Sequence, residues 1–164
     1  MKKIIYCFSL ATFFCLFISS TLQAQTQING KNIVGVWKTV DDETGRTKSH
    51  VQVFKKGNKY HAKIIKLLDP QTLKNSGAKR FEDIKCEKCS ADHGKGQAII
   101  GLEIVWNMEK RSNKYAGGSI MDPKKGKVYT CTMWMDDSDK SGSTLKIRGW
   151  LAMFYRTQTW NRIK

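Results

Sequence analysis

Two cysteines three positions apart, Cys86 and Cys89, share the polar run KCEKCSADHGKG (Lys85 to Gly96) with a histidine, His93. Residues of these types at this spacing support three chemistries: a small disulfide ring, part of a zinc site, or a redox pair. Zinc takes four ligands, and Cys86, Cys89 and His93 supply three, so Cys131 would have to complete the set from elsewhere in the fold. A redox pair normally opens a helix, whose N-terminus lowers a thiol pKa; the stretch Ser90 to Gly96 has two glycines and no apolar stripe. Neighbouring thiols in an oxidising compartment default to a bridge. A Cys86 to Cys89 disulfide is therefore the leading reading, with zinc as the alternative cofactor and free thiols as the remainder.

The choice rests on compartment, and the start of the chain addresses it. Met1-Lys2-Lys3 precedes an apolar run from Ile4 to about Ile18, then Ser19-Ser20-Thr21-Leu22-Gln23-Ala24 leads into Gln25. A basic start, a short apolar stretch and a small residue before a polar segment describe a secretory signal peptide over residues 1–24, cleaved after Ala24. The run falls short of the roughly 20 residues that a membrane-spanning helix needs, and no later segment reaches that length. The expected product is periplasmic or secreted, with a short segment 25–32 before one domain over 33–164. Cys7 and Cys15 would leave with the leader, so Cys86, Cys89 and Cys131 remain.

The other chemistry-bearing residues are dispersed. His50, His61 and His93 are joined by no motif to a serine or an acid, and no phosphate-cradling loop or nucleophile elbow is present. Non-enzymatic binding is favoured over catalysis on that ground; an enzyme would have to draw on Asp122, Tyr129 or a histidine in one mouth. Tryptophan and arginine interleave at Arg148-Gly149-Trp150 and from Arg156 through Trp160 to Arg162. Such a pattern can stack bases and hold phosphates, but export and the scatter of the basic residues leave no nucleic acid expected. The net charge of +15 favours anionic partners, among them envelope lipid or polysaccharide.

Short β-rich runs bounded by Gly, Asn, Asp and Pro must position these residues. They begin at Ile33-Val34-Gly35-Val36-Trp37, His50 to Phe54 and Lys59 to Leu68. A long polar loop, Asp69 to Gln97, holds the cysteines. Strands resume at Ala98-Ile99-Ile100, Glu103 to Trp106, Tyr115 to Met121, Lys127 to Met135, Thr144 to Leu151 and Phe154 to Ile163. Gly117-Gly118 suits close backbone packing or a bulge. About eight strands in a meander predict an all-β, single antiparallel up-and-down β-barrel, which closes without an exposed edge. Within Leu145 to Leu151 alternation puts leucine and isoleucine on one face and Lys146, Arg148 and Trp150 on the other.

Gly35-Val36-Trp37, the segment Gly117 to Pro123 followed by Gly126-Lys127-Val128-Tyr129, Leu145 to Gly149, and Arg156-Thr157-Gln158-Thr159-Trp160 together resemble an exported bacterial family catalogued as domain of unknown function 2147. The resemblance implies a lipocalin-like, or calycin-like, barrel and brings no activity with it. The Gly35-x-Trp37 start is also similar to that of the lipocalins, where a first-strand tryptophan packs near an arginine ending the last strand. On that resemblance Trp37 and Arg162, or alternatively Arg156, would close the barrel. The expected function is binding of a small apolar or amphipathic ligand, anionic in the favoured case, in the cell envelope, with Trp37, Tyr129, Arg148, Trp150, Arg156 and Trp160 as candidate contacts. A basic exterior acting on anionic lipid or polysaccharide is the rival reading.

Overall fold

Alternation of inward apolar and outward polar residues, interrupted by tight turns, builds eight antiparallel strands. The computed structural model describes residues 32–163, so the expected signal peptide lies outside the described residues. The strands are β1 (Gly35–Val40), β2 (Thr47–Lys56), β3 (Lys59–Leu67), β4 (Glu103–Arg111), β5 (Lys114–Asp122), β6 (Lys127–Met135), β7 (Thr144–Leu151) and β8 (Phe154–Arg162). Each pairs with the next, and β1 pairs with β8 through Trp37 to Arg162 and Thr39 to Trp160, which closes the barrel. The two edge strands join over three residue pairs, Trp37 to Thr39 against Trp160 to Arg162, and the first part of β8 extends beyond them toward the β7–β8 turn.

Register divides the side chains into two sets. Val51 and Val53 on β2, Ala62 on β3, Val105 on β4, Met133 on β6 and Ile147 on β7 point inward and are fully or almost fully buried. Gly118 makes the tight join between β4 and β5 possible. A Cβ there would lie 2.2 Å from the Trp106 carbonyl oxygen, and the register shifts beside Gly117, whose φ is 81°. The expected close approach and the expected bulge thus occur together.

The segment between β3 and β4 departs from a plain polar loop. Asp69 caps a short helix, α1 (Pro70–Ser76), by accepting from the Gln71 N–H at 3.1 Å, Pro70 occupies its first turn, and Gly77 ends it in the left-handed region. This is the usual arrangement of cap, proline and terminal glycine. Further on, Ile84, Cys86, Cys89 and Ile99 are buried in the same apolar cluster as the barrel interior. The strand expected at Ala98-Ile99-Ile100 is absent. That segment forms a lone bridge, Lys85 to Ala98, followed by a turn whose Gly101 N–H donates to Ile64 O at 2.7 Å. A short apolar run reads alike whether it pairs in a sheet or docks a loop, and here it docks one. The first strand likewise starts at Gly35 and not Ile33, which serves the barrel floor described below.

This connection lies against the outside of the barrel. Val105 and Ile120 are inward partners across β4 and β5, so their neighbours Ile104 and Met121 face outward, yet both are buried. The His93 ring stacks 4.6 Å from outward Trp106, and Cys86 Sγ lies 3.6 Å from the Pro123 carbonyl in the β5–β6 turn. Gly126 in that turn approaches so closely that a Cβ would fall 1.8 Å from Lys88 O. The outer face of β4 and β5 is therefore a second, smaller packing surface.

Candidate functional site

An up-and-down barrel puts alternate connections at alternate ends. One end carries the β2–β3, β4–β5 and β6–β7 turns; the other carries β1–β2, the long β3–β4 connection, β5–β6 and β7–β8. At the first end Ile33 sits buried below Trp37, whose indole N–H donates to Ile33 O at 2.8 Å. Arg162 lies 4.2 Å from the centre of the Trp37 ring. Its guanidinium also donates to Gly142 O at 3.0 Å, to Val34 O at 3.1 Å and to Asn32 O. Three carbonyls and one aromatic face fix this arginine, and burial pulls its pKa below the usual guanidinium value. Such a fully occupied group ties the chain start to β8 and has little capacity left for a ligand. A shallow hollow of about 360 Å³ beside it is lined by Lys110, Ser112, Asn113, Tyr115, Met135 and Asp137.

The inward face of β8 changes character toward the other end. Alternation from Arg162 places Trp160, Gln158 and Arg156 in succession along it. Trp160 is 2 % exposed, and its Nε1–H finds no acceptor among the described residues. Its register neighbour Thr39 is already engaged, since Thr39 Oγ1 lies 2.8 Å from Ser49 Oγ and also donates to Ser49 O. Buried donors in native proteins almost always have partners, so this indole is the exception in the interior. Above it Gln158 is half-buried, and Arg156 reaches the rim, where Nη2 and Nε lie 2.8 and 2.9 Å from Asp42 Oδ2 in the β1–β2 turn. On the adjacent β7, Gly149, the register partner of Arg156, carries no side chain beside inward Tyr129, whose Cβ would lie 3.3 Å from an added methyl. Arg156, Gln158 and Trp160 thus follow one another on the inward face of β8 from rim to interior.

Arg148 and Trp150 belong elsewhere. They lie on the outer face of β7, as the alternation of Leu145 and Ile147 requires. There the Arg148 guanidinium carbon sits 4.3 Å from the Tyr155 ring, 5.1 Å from Trp134 and 5.5 Å from Trp150. Its Nε donates to Thr157 Oγ1 at 2.8 Å. The six candidate contacts therefore divide: Trp37 lies in the closed end, Trp160 is buried in the interior next to it, Tyr129 and Arg156 lie toward the mouth, and Arg148 with Trp150 lie on the outer wall. The structure does not bring all six together in the lumen.

Cys86 and Cys89 form a disulfide, with Cα atoms 5.5 Å apart. While bridged they offer no thiolate to a metal, and His93 instead faces Ser90 Oγ at 2.9 Å. Among the described residues no group of three or more His, Cys, Asp or Glu is placed to hold a metal ion. Cys131 is a free buried thiol whose pKa burial pushes up to about 12, so it is uncharged and unreactive at neutral pH. His61 Nδ1 lies 2.6 Å from Glu103 Oε1, a brace between β3 and β4 on the outer surface. Asp122 caps its own turn by accepting from the Lys124 N–H.

Comparison with known proteins agrees with this architecture. A family described as "Uncharacterized protein conserved in bacteria (DUF2147)" matches residues 35–162. The chain belongs to that family. In structure, this DUF2147 barrel is similar to protein HP1028 from the human pathogen Helicobacter pylori, which is described as belonging to the lipocalin family. The two share 18 % sequence identity over 81 % of this chain and 84 % of that one, with a TM-score of 0.61. At that identity the likeness concerns the fold. No curated protein sequence matches the chain.

Sequence reasoning overlooked Gln158, Thr39 and Ser49. The signal for the first two was present: counting by twos from Trp160 and from Trp37 puts Gln158 and Thr39 on the inward face. Gly149 closes the Leu145 to Gly149 motif, and a glycine on an inward face next to a tyrosine marks space.

Proposed function

We propose that this DUF2147 barrel is an exported, non-enzymatic binding protein that holds a small amphipathic molecule with an anionic head in its mouth. The observation that carries the reading is the Trp160 indole N–H, buried within the barrel without a protein acceptor. Leaving such a donor unsatisfied costs about 1–3 kcal/mol, which an acceptor oxygen on a ligand would recover. Gln158 adds a donor between Trp160 and solvent, and Arg156 at the rim, whose Nε and Nη2 hold Asp42, has its Nη1 side left to meet a carboxylate or phosphate. Apolar wall is supplied by Ile120, Tyr129, Leu145 and Ile147. Because Trp160 is nearly sealed, entry requires Gln158 or Tyr129 to swing aside, which Gly149 makes room for.

Export is supported by the signal-like residues 1–24 and by the Cys86 to Cys89 bridge, since such bridges persist in oxidising compartments. A native mass spectrum of protein prepared gently from a periplasmic fraction tests the reading. The expected result is a small-molecule adduct that leaves on denaturation and is depleted in Arg156→Ala and Trp160→Phe. Bare protein that also takes up no medium-chain carboxylate would overturn it and assign the Trp160 donor to an interior water.

A further inference from the structure

The β7–β8 hairpin projects from the same end of the barrel as the mouth. Its turn is the two-residue loop Ala152-Met153 between the paired residues Leu151 and Phe154. Two-residue hairpins strongly prefer Asn-Gly, Asp-Gly or Gly-Gly, because their central residues take positive φ. Here Ala152 has φ 53°, a left-handed conformation that costs a residue with a Cβ about 1–2 kcal/mol. An apolar pair thus occupies a position where polar or glycine residues would be both more soluble and less strained.

The tip is apolar well beyond this pair. Met153 is 82 % exposed, Phe154 74 %, Tyr155 57 % and Leu151 51 %. Scattered exposed apolar residues are ordinary, but a contiguous group at one projecting tip marks a contact surface. Behind it lies a different layer. Trp150 and Tyr155 pack 4.8 Å apart with Arg148 against both, and Arg156 stands at the rim. Arg148 has no acidic partner among the described residues, whereas Arg156 is paired with Asp42 of the β1–β2 turn. The adjacent β5–β6 turn at the same end adds Lys124, Lys125 and Lys127.

We propose that this hairpin docks the protein on an anionic lipid bilayer, with Leu151, Met153 and Phe154 entering the apolar boundary and Trp150, Tyr155 and the arginines at headgroup level. The order of layers decides the occupant. Amphipathic aromatics favour the membrane interface and apolar side chains the region beneath it, while Arg148 and the lysines of the β5–β6 turn, which pair with no acid among the described residues, gain from anionic headgroups. A protein partner would need no such graded depth, and a second copy would bring a second set of the same cations against the first. Docking in this pose turns the barrel mouth toward the bilayer surface. It stands apart from ligand binding in the lumen, and the two can fail separately.

Flotation with vesicles of phosphatidylethanolamine and phosphatidylglycerol, against vesicles of phosphatidylcholine alone, tests the proposal. Wild-type protein is expected to float with the anionic vesicles and to be released by raised salt. Replacing Met153 and Phe154 with serine is expected to lower partitioning about tenfold or more, since each loses most of the gain from burying a large apolar side chain. A second variant, Ala152→Asn with Met153→Gly, keeps or improves the turn and should also bind more weakly, which separates lost docking from lost folding. Equal binding of wild type and both variants would overturn the proposal. So would absence of binding to anionic vesicles, including the case in which size-exclusion chromatography shows a wild-type dimer that the variants lose, which would assign the tip to a second copy.

Discussion

The outer walls of the barrel on its two sides follow the same alternation and end differently. On β4 and β5 the outward residues Ile104, Trp106 and Met121 lie under the β3–β4 connection, held by a disulfide and by contact with the β5–β6 turn. On β6 to β8 the outward residues Trp134, Arg148, Trp150 and Tyr155 have no such cover and lead to an exposed apolar tip. Outward apolar groups are therefore not a general property of this sheet. One set completes an intramolecular core, and the other is presented to the surroundings with cations beside it.

The sharpest test of this contrast is paired substitution. Ile104→Asp puts a charge under the connection and is expected to cost about 3 kcal/mol or more. Phe154→Ser at the tip should change stability by no more than about 0.5 kcal/mol, both read from urea midpoints. Comparable losses at the two sites would erase the distinction. Next in size, Gly126→Ala places a methyl on Lys88 O at a residue whose φ is 68°. A cost of about 1–3 kcal/mol is expected, together with faster proteolysis between Lys85 and Gln97.

Removing the bridge with Cys86→Ser and Cys89→Ser should cost about 2 kcal/mol or less, because a ring this small removes little entropy from the unfolded chain. Amide exchange should quicken in the connection and stay unchanged on β7 and β8. The smallest effect concerns acid. Asp41, Asp136 and Asp139 have lowered pKa values, chiefly because the hydroxyls of Thr44, Ser138 and Ser141 donate to them. A carboxylate whose folded pKa is lowered stabilises the fold at neutral pH, and that contribution disappears as pH falls below its ordinary value of 3.8. A shallow loss of thermal stability is expected there, with none attributable to these groups between pH 5 and 8.

Much of this architecture was legible because period-two patterning and turn residues act locally. Leu145 to Leu151 separates its faces in sequence as it does in space, and the Gly117-Gly118 pair announces its bulge. What escaped was packing between distant segments. Asp69-Pro70 opens the polar loop in sequence, and with Gly77 it also frames α1, whose lone apolar Leu73 gives no periodic stripe. The connection looked polar because Ile84, Cys86, Cys89 and Ile99 are isolated in sequence and gather only when folded against β4 and β5. Within the candidate site, Trp160 and Arg156 were visible as residue types. That one indole N–H lacks an acceptor depends on Thr39 and Ser49 pairing with each other, which no linear pattern conveys.

The central claim is that Trp160 meets a ligand inside the barrel, and its indole N–H resonance reports this directly. Protein with nitrogen-15 in its indoles is titrated with a medium-chain carboxylate, and the Trp160 signal is assigned by its loss in Trp160→Phe. The account predicts a saturable downfield shift of that signal, weakened by Arg156→Ala, with Trp37 unmoved. A Trp160 resonance that stays fixed while the carboxylate binds and shifts other residues would contradict it.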